Sequence, residues 1–125
     1  NQVKDEANKL LNELHKKYDL PGKPFFCSRI SKVYHTGICM YNTMGINVRG
    51  IKNPEKVFSD IEHKIRECFI KNGGSISHHH GVGKLRKDFM PETISPGSIE
   101  VIQGIKKSQD PDNIFGISNN IVNKK

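Results

Sequence analysis

The stretch from Asn53 to Gly74 reads NPEKVFSDIEHKIRECFIKNGG and carries the clearest secondary-structure pattern in the chain. Its apolar residues recur every three or four positions and form one stripe, while most residues between them are charged. The stripe consists of Val57, Phe58, Ile61, Ile65, Cys68 and Phe69. Asn53 suits an N-cap, Pro54 suits the first helical position, and the glycines at 73–74 suit a left-handed helix end. The stretch therefore predicts an amphipathic helix.

Two extended segments precede this helix. Residues 25–35 are rich in aromatic and β-branched side chains, and residues 38–48 form a second such run. Because Thr36-Gly37 is short enough for a tight connection, the two runs predict an antiparallel hairpin. Further upstream, residues 3–18 carry apolar side chains at helical spacing and predict another amphipathic helix.

The residues that are suited to catalysis or ligand binding are concentrated directly after the central helix, in NGGSISHHHGVGKLRK at 72–87. Histidine titrates near neutral pH, which suits proton transfer, and the cationic residues that follow suit a phosphate. Glycine permits a positive φ and a close approach of the backbone to a ligand. We expect Ser75-Ile76-Ser77 to form a short strand that carries the histidines at its end.

The order of these elements predicts an α+β fold, with an antiparallel sheet covered by helices on one side. After the histidines, residues 84–90 are expected to form one or two helical turns before Pro91. A further helix is expected to open at Pro96, with Ile99, Ile102 and Ile105 as its buried set. Ile114-Phe115-Gly116 is interpreted as a small apolar anchor.

Composition limits the function classes. The 125 residues suit about one domain, and the net charge of +7 favours an anionic partner such as a phosphate, a nucleic acid or a membrane surface. Three cysteines without CxxC spacing argue against a disulfide framework or a thiolate zinc site and favour a reducing compartment. No apolar run reaches the roughly 18 residues of a membrane span, and no signal peptide opens the chain. Since the first residue is asparagine, we expect a fragment or a processed product.

Three hypotheses fit the histidine run. A metal site is disfavoured, because adjacent residues of a strand face opposite sides and only His78 and His80 share one. A second hypothesis is a polar loop without a specific function, or a purification tag. The third is an active-site loop with a histidine as acid or base. Tyr41, in the middle of the second predicted strand, is either a core residue or a phenol activated by this loop.

Four blocks of the sequence resemble a known family and fall in its order. They are VYHTGICMY at 33–41, NVRGI at 47–51, the histidine block at 72–87 and DPDNIFG at 110–116. Over roughly residues 25–118 they resemble the alkyldihydroxyacetonephosphate synthase family, which belongs to the vanillyl-alcohol-oxidase type of FAD proteins. The resemblance implies that residues 1–125 are a C-terminal, ferredoxin-like cap domain of a FAD-linked oxidase, with a tail at 119–125. The FAD-binding domain is then absent from the chain.

The resemblance also implies an activity and its site. The family replaces the acyl chain of acyl-dihydroxyacetone phosphate with a long-chain fatty alcohol in ether-lipid biosynthesis, using FAD without net redox change. Tyr41, His78, His79 and His80 match its catalytic residues. His79, His80 and Asn113 match residues at the cofactor, whereas Lys84 and Arg86 match the cationic tail of the motif at the substrate phosphate. No residue matches a metal ligand.

The same resemblance implies partners and a location. These are the N-terminal FAD-binding domain of the same enzyme, a peripheral membrane surface, a second copy in a homodimer, and the peroxisome. One alternative is a catalytically inactive paralogue or fragment that acts as a binding module. A basic nucleic-acid-binding domain is less favoured, because the chain lacks aromatic residues interleaved with basic ones and any groove-reading motif.

Overall fold

The computed structural model of the chain describes residues 2–116, so the predicted tail at 119–125 lies outside the described residues. The chain divides into two compact units, and the division in the sequence falls between Gly74 and Ser75. The first contains α1 (Gln2–Lys17), β1 (Phe25–Tyr34), β2 (Gly37–Gly45) and α2 (Pro54–Lys71). The second contains α3 (Gly83–Arg86), a 3₁₀ helix (Lys87–Glu92) and α4 (Pro96–Gln109). The α+β class and the antiparallel pairing are confirmed.

The core of the first unit forms where α1 packs on α2. Its buried side chains are Leu11, Leu14, Leu20, Ile61 and Ile65. Leu11 and Ile61 are completely buried. The hairpin adds Phe26 and Met44, which are register partners in β1 and β2 and pack against this cluster. The apolar stripes that predicted α1 and α2 are therefore the faces that meet.

The hairpin packs against the core cluster at its base. Phe26 and Met44 lie near the open end, whereas every residue from Ile30 to Ile38 is exposed. The strands are joined by His35-Thr36, one residue earlier than predicted, and a bulge lies between Ile30 and Lys32. The second strand ends at Gly45, three residues before the predicted end.

The central helix begins and ends where the sequence predicted. Gly73 has a φ of 78°, and its N–H donates to the carbonyl of Ile70 at 2.9 Å. The N–H of Gly74 donates to the carbonyl of Phe69 at 2.8 Å, which completes a Schellman end. At the other end, Asn53 occupies the N-cap in a left-handed conformation and its side chain makes no capping hydrogen bond. The prediction that Asn53 is the N-cap is confirmed.

The predicted strand at Ser75–Ser77 is wrong, because these residues are irregular, with a bend at Ile76 and no strand pairing. The Ser75 hydroxyl donates to the carbonyl of Ser77 at 3.0 Å and accepts from the N–H of Ser77 at 3.4 Å. A serine side chain that bonds a nearby backbone in this way competes with strand pairing.

Helix α4 starts as predicted, and the Ser95 hydroxyl caps it by accepting from the N–H of Ser98 at 3.2 Å. Its predicted buried set is wrong, since Ile102 and Ile105 are exposed. The predicted anchor at 114–116 is wrong as well, because Ile114 and Phe115 are exposed. Periodicity identifies the apolar side of a helix, but it carries no information on what covers that side.

The helical turns predicted for residues 84–90 are present, divided between α3 and the 3₁₀ helix, which continues through Pro91. Phe89 and Met90 of the 3₁₀ helix are buried. Within residues 2–116, no helix combines the length and apolar character that a membrane span requires.

Candidate functional site

The three histidines form one compact cluster in the second unit. The Nδ1 atoms of His78 and His79 lie 2.9 Å apart, and the rings of His79 and His80 meet edge to face with centroids 4.1 Å apart. The expectation that neighbouring rings would face opposite sides is wrong, because it assumed an extended strand and the segment is bent. All three residues are exposed, so the cluster is accessible to a ligand.

The Nδ1 atoms of His78 and His79 face each other at hydrogen-bond distance. A hydrogen bond between two Nδ1 atoms needs one ring as donor and the other as acceptor, so the roles of the two rings depend on their tautomers. This arrangement suits a pair that accepts a proton at one ring nitrogen and releases it at another.

The loop after the cluster is held by its own residues. Gly81 and Gly83 have φ values of 75° and 54°, which L side chains rarely adopt, so glycine is favoured at both positions. Arg86 Nη1 donates to the carbonyl of Gly81 at 3.1 Å and closes the turn. Arg86 thus has a structural contact that sequence reasoning did not foresee, whereas the side chain of Lys84 in the same helix is exposed.

Tyr41 lies in the first unit, in the middle of β2, and 36% of its surface is exposed. Its cross-strand partner is Arg29, whose guanidinium carbon lies 5.0 Å from the centre of the Tyr41 ring. A cation over an aromatic face is attracted by the negative ring and fixes its orientation. The Tyr41 side chain is therefore accessible to a ligand, and the Arg29 guanidinium fixes the orientation of its ring.

Sequence reasoning missed Arg29. A turn at Thr36-Gly37 would pair Tyr41 with Lys32, and the actual turn without a bulge would pair it with Ile30. Only the actual turn and the bulge together bring Arg29 opposite Tyr41. The aromatic and β-branched pattern that predicted the hairpin indicates neither the position of the turn nor the presence of the bulge.

Asn113 lies in a tight loop after α4, in a left-handed conformation with φ of 53°. The loop is organised by Asp110, whose carboxylate accepts the N–H groups of Ile114 at 2.8 Å and of Phe115 at 2.9 Å. Lys106 donates to the same carboxylate and to the carbonyl of Phe115. The Lys106 ammonium and these N–H groups hold the pKa of the Asp110 carboxyl below its usual range.

Two polar atoms of the second unit are buried without a hydrogen-bond partner among the described residues. They are the Oγ of Ser77, directly before the histidines, and the Oδ1 of Asn113. Buried polar atoms are nearly always satisfied in complete proteins. These two are therefore candidates for contacts with groups that residues 2–116 do not supply.

The described residues provide no metal centre, since no three histidine, cysteine, aspartate or glutamate side chains in that range are grouped to hold an ion. The three cysteines are free thiols. Burial raises the pKa of the Cys68 thiol, and the nearby Glu6 carboxylate adds to the rise.

Comparison with known families gives a match over almost the whole described range. The profile of "FAD linked oxidases, C-terminal domain" matches residues 4–116. The chain belongs to the FAD-linked oxidase family. FAD is the cofactor that this membership implies, and a C-terminal domain of the family implies a separate FAD-binding domain on the N-terminal side of the same enzyme.

Individual relatives indicate a branch of the family. Alkyldihydroxyacetonephosphate synthase of Caenorhabditis elegans is 46% identical over 91 residues, which cover 73% of this chain and 15% of the relative. The enzyme of the same name from Trypanosoma brucei brucei is 31% identical over 81 residues, or 65% of this chain and 13% of the relative. A probable mitochondrial D-2-hydroxyglutarate dehydrogenase of Oryza sativa subsp. indica is 32% identical over 70 residues, or 56% and 12%. The chain thus spans about one seventh of the length of the two synthases.

The residues of the second unit fit a flavin nucleotide by their donor and acceptor chemistry. The imidazoles and the Lys84 ammonium can donate to carbonyl or phosphate oxygens, and the Asn113 amide oxygen is an acceptor in need of a donor. The predicted contacts of His79, His80 and Asn113 with FAD stay predictions. So does the convergence of Tyr41 with the histidines, since the two belong to different units.

Proposed function

We propose that this chain is the substrate-side domain of a flavin-dependent alkyl transferase in ether-lipid synthesis. The reaction exchanges the acyl chain of acyl-dihydroxyacetone phosphate for a long-chain fatty alcohol. The bond between the substrate carbon and the carboxylate oxygen breaks, the fatty acid leaves, and the alcohol oxygen bonds to the same carbon and loses its proton. Bound FAD supplies a reversible electron sink, and no net oxidation or reduction occurs.

The observation that carries this proposal is the 46% identity to a protein named alkyldihydroxyacetonephosphate synthase. That similarity exceeds the 32% identity to the dehydrogenase, although both proteins belong to the wider family. The compact histidine cluster supports the proposal, because an exchange without an external electron acceptor needs groups that take up and return protons.

In this proposal, the histidine cluster moves protons at the reacting centre. In the hydrogen bond between His78 and His79, the Nδ1 of one ring donates and the Nδ1 of the other accepts. A proton gained at Nε2 of one ring therefore favours the release of a proton from Nε2 of the other ring. His80, packed on the His79 ring, limits the rotation of that ring. The cluster therefore acts as a pre-oriented acid and base, and each ring is expected to matter for a different part of that task.

Tyr41 is proposed to remove a proton from the substrate carbon that exchanges its substituent. A phenol that acts as a base must be held in the correct orientation toward the proton it removes. Arg29, whose guanidinium lies over the Tyr41 ring, fixes that orientation across the hairpin. It is a positioning residue for Tyr41 in this account, and sequence reasoning had not identified it.

Lys84 is the stronger candidate of the two cations for the substrate phosphate. Its side chain is exposed, while Arg86 already bonds the Gly81 carbonyl. Arg86 retains further N–H donors for an anion, so it can both close the loop and contact a phosphate. A homodimer, contact with a membrane surface and a peroxisomal location also belong to the proposal and stay predictions.

The test uses the full-length enzyme that carries this chain. Transfer of a radiolabelled long-chain alcohol into acyl-dihydroxyacetone phosphate is measured for His79→Ala and for the control His63→Ala, whose ring lies on α2 beside Glu67. Loss of an acid or base group costs about 100-fold or more, so His79→Ala should lose at least that much activity. His63→Ala should stay within twofold.

Equal activity of the two variants would remove the histidine cluster from the mechanism. A full-length protein that oxidises a 2-hydroxy acid with an electron acceptor and transfers no alcohol would contradict the proposed reaction. A protein that binds acyl-dihydroxyacetone phosphate without turnover would support the inactive binding module instead.

A further inference from the structure

A hydrogen bond between the two long helices of the first unit lies directly before the histidine segment. The Nδ2 of Asn72, the residue that caps the end of α2, donates to Oε2 of Glu6 in α1 at 2.8 Å. The two residues are 66 positions apart, so the contact is tertiary rather than local. From Asn72 the chain runs to His78 without forming a helix or a strand.

Both partners of this hydrogen bond are held by further contacts. The same amide of Asn72 donates to the carbonyl of Cys68 at 2.9 Å, and the second carboxylate oxygen of Glu6 accepts from Gln2 at 2.9 Å. The hydrogen bonds from Gln2 and from Asn72 hold the pKa of the Glu6 carboxyl below its usual range. Glu6 is therefore ionised at neutral pH, and a hydrogen bond to an ionised acceptor is stronger than one between neutral groups.

The residues that follow Asn72 have little backbone freedom. The N–H of Gly74 donates to the carbonyl of Phe69, and a Cβ at Gly74 would lie 2.7 Å from that carbonyl oxygen. Further along, the Ser75 hydroxyl bonds the backbone of Ser77, directly before the histidines. A change at Asn72 therefore acts on a segment whose backbone is already bonded, rather than on a free linker.

A second hydrogen bond between the same helical layers provides a comparison. The hydroxyl of Tyr18, directly after α1, donates to Oδ2 of Asp60 in α2 at 3.4 Å. A contact that only holds α1 on α2 can lie anywhere along them, as the contact of Tyr18 does. The contact of Glu6 instead acts on the residue from which the histidine segment departs.

We infer that Glu6 is a positioning residue for the histidine cluster, and that it acts through the Asn72 amide and the backbone that follows. The inference rests on the proposed function, in which these histidines move protons. An ordered segment limits the conformations from which the rings must reach their working geometry. Loss of this order should therefore lower kcat more than it changes KM for acyl-dihydroxyacetone phosphate.

The experiment compares Glu6→Ala with Tyr18→Phe in the full-length enzyme. Amide hydrogen exchange of residues 72–77 and the kcat and KM of alkyl exchange are measured for both. Because a hydrogen bond to a charged group is worth a factor of several in an equilibrium, Glu6→Ala should speed exchange at 72–77 and lower kcat, each by at least about threefold. Its KM should stay within about twofold, as should every value for Tyr18→Phe.

A swap of the two polar groups tests the contact itself. Asn72→Asp places a second carboxylate against Glu6, and the repulsion should lower kcat at least as much as Glu6→Ala does. Adding Glu6→Gln to Asn72→Asp restores one amide donor and one carboxylate acceptor in exchanged positions. The double variant should therefore have a kcat at least about threefold above that of Asn72→Asp alone.

The outcomes separate this inference from the proposed function. Equal effects of Glu6→Ala and Tyr18→Phe, or faster exchange at 72–77 with an unchanged kcat, would overturn the positioning role. A double variant no better than Asn72→Asp would overturn it too. A full-length enzyme that transfers no alcohol would contradict the proposed function, and hydrogen exchange would then still decide whether Glu6 orders the segment.

Discussion

The histidine run owes its chemical character to ring contacts that residue types alone do not specify. The Nδ1 atoms of His78 and His79 are 2.9 Å apart, and the His79 and His80 rings touch edge to face. Both contacts depend on the bends that replace the predicted strand. Residue type and position identify these histidines, and the local backbone decides how they cooperate.

At the same scale, the three cysteines should differ in reactivity. Cys27 is exposed and Cys39 is buried, while burial and the nearby Glu6 raise the pKa of the Cys68 thiol. Because the thiolate is the reactive form, iodoacetamide at pH 7.5 should modify Cys27 first, and Cys68 at least tenfold more slowly. Peptide mass spectrometry over a time course measures the order. Faster labelling of Cys68 than of Cys27 would contradict it.

The sequence could predict the identity of the site residues but not their partners. Tyr41 and the histidines stood out because of their residue types, position and family pattern. Arg29 did not, because its place opposite Tyr41 depends on a bulge that shifts the register by one residue. Asp110 was identified only as part of the family block at 110–116, although it organises the loop through Ile114 and Phe115.

At the scale of elements, the long helices were predictable because their apolar stripes, and the glycines that end α2, are local signals. The helical turns at residues 84–90 were predicted correctly too, but the segment at 75–77 was not. Residues 75–77 were predicted as a strand from the order of the neighbouring elements, but the Ser75 hydroxyl forms hydrogen bonds with the backbone of Ser77 instead. The apolar pattern of α4 correctly predicted a helix. It wrongly predicted that the apolar side of this helix is buried, since Ile105 is exposed.

Two identical substitutions in different elements should have opposite effects. An added Cβ meets nothing within 4 Å at Gly73 or at Gly104, so only the backbone distinguishes them. Gly73 has a φ of 78°, and Gly73→Ala should destabilise the end of α2 by about 1–2 kcal/mol. Gly104 lies inside α4, and Gly104→Ala should stabilise that helix by about 0.5–1 kcal/mol. Hydrogen exchange of the amides in each helix measures both changes, and a shared sign would contradict the argument.

At the scale of the whole molecule, one set of contacts holds the first unit together. α1, α2 and the base of the hairpin share a single cluster, and Ile61 at its centre is completely buried. The hairpin residues 30–38, Ile102 and Ile105 of α4, and the pair at 114–115 are exposed. A chain that matches 15% of its synthase relative is expected to have such surfaces, because the larger enzyme offers partners for them.

The core assignment predicts a large difference between two isoleucines. Ile61→Ala removes buried methyl groups and leaves a cavity, which should cost about 2–5 kcal/mol of stability. Ile105→Ala, at a 60% exposed position, should cost less than about 0.5 kcal/mol. Native-state hydrogen exchange in the full-length enzyme gives the opening free energies of α2 and α4. Similar losses for the two variants would show that the core is placed wrongly.

The central claim is that Tyr41 serves an alkyl exchange in a FAD-linked enzyme, and product analysis tests it most directly. The full-length enzyme is given acyl-dihydroxyacetone phosphate and a labelled fatty alcohol without any electron acceptor. The account predicts one fatty acid released per alcohol incorporated, a loss of at least about 100-fold in Tyr41→Phe, and a change of less than twofold in the hairpin control Tyr34→Phe. Undiminished exchange by Tyr41→Phe, or turnover that requires an electron acceptor, would contradict it.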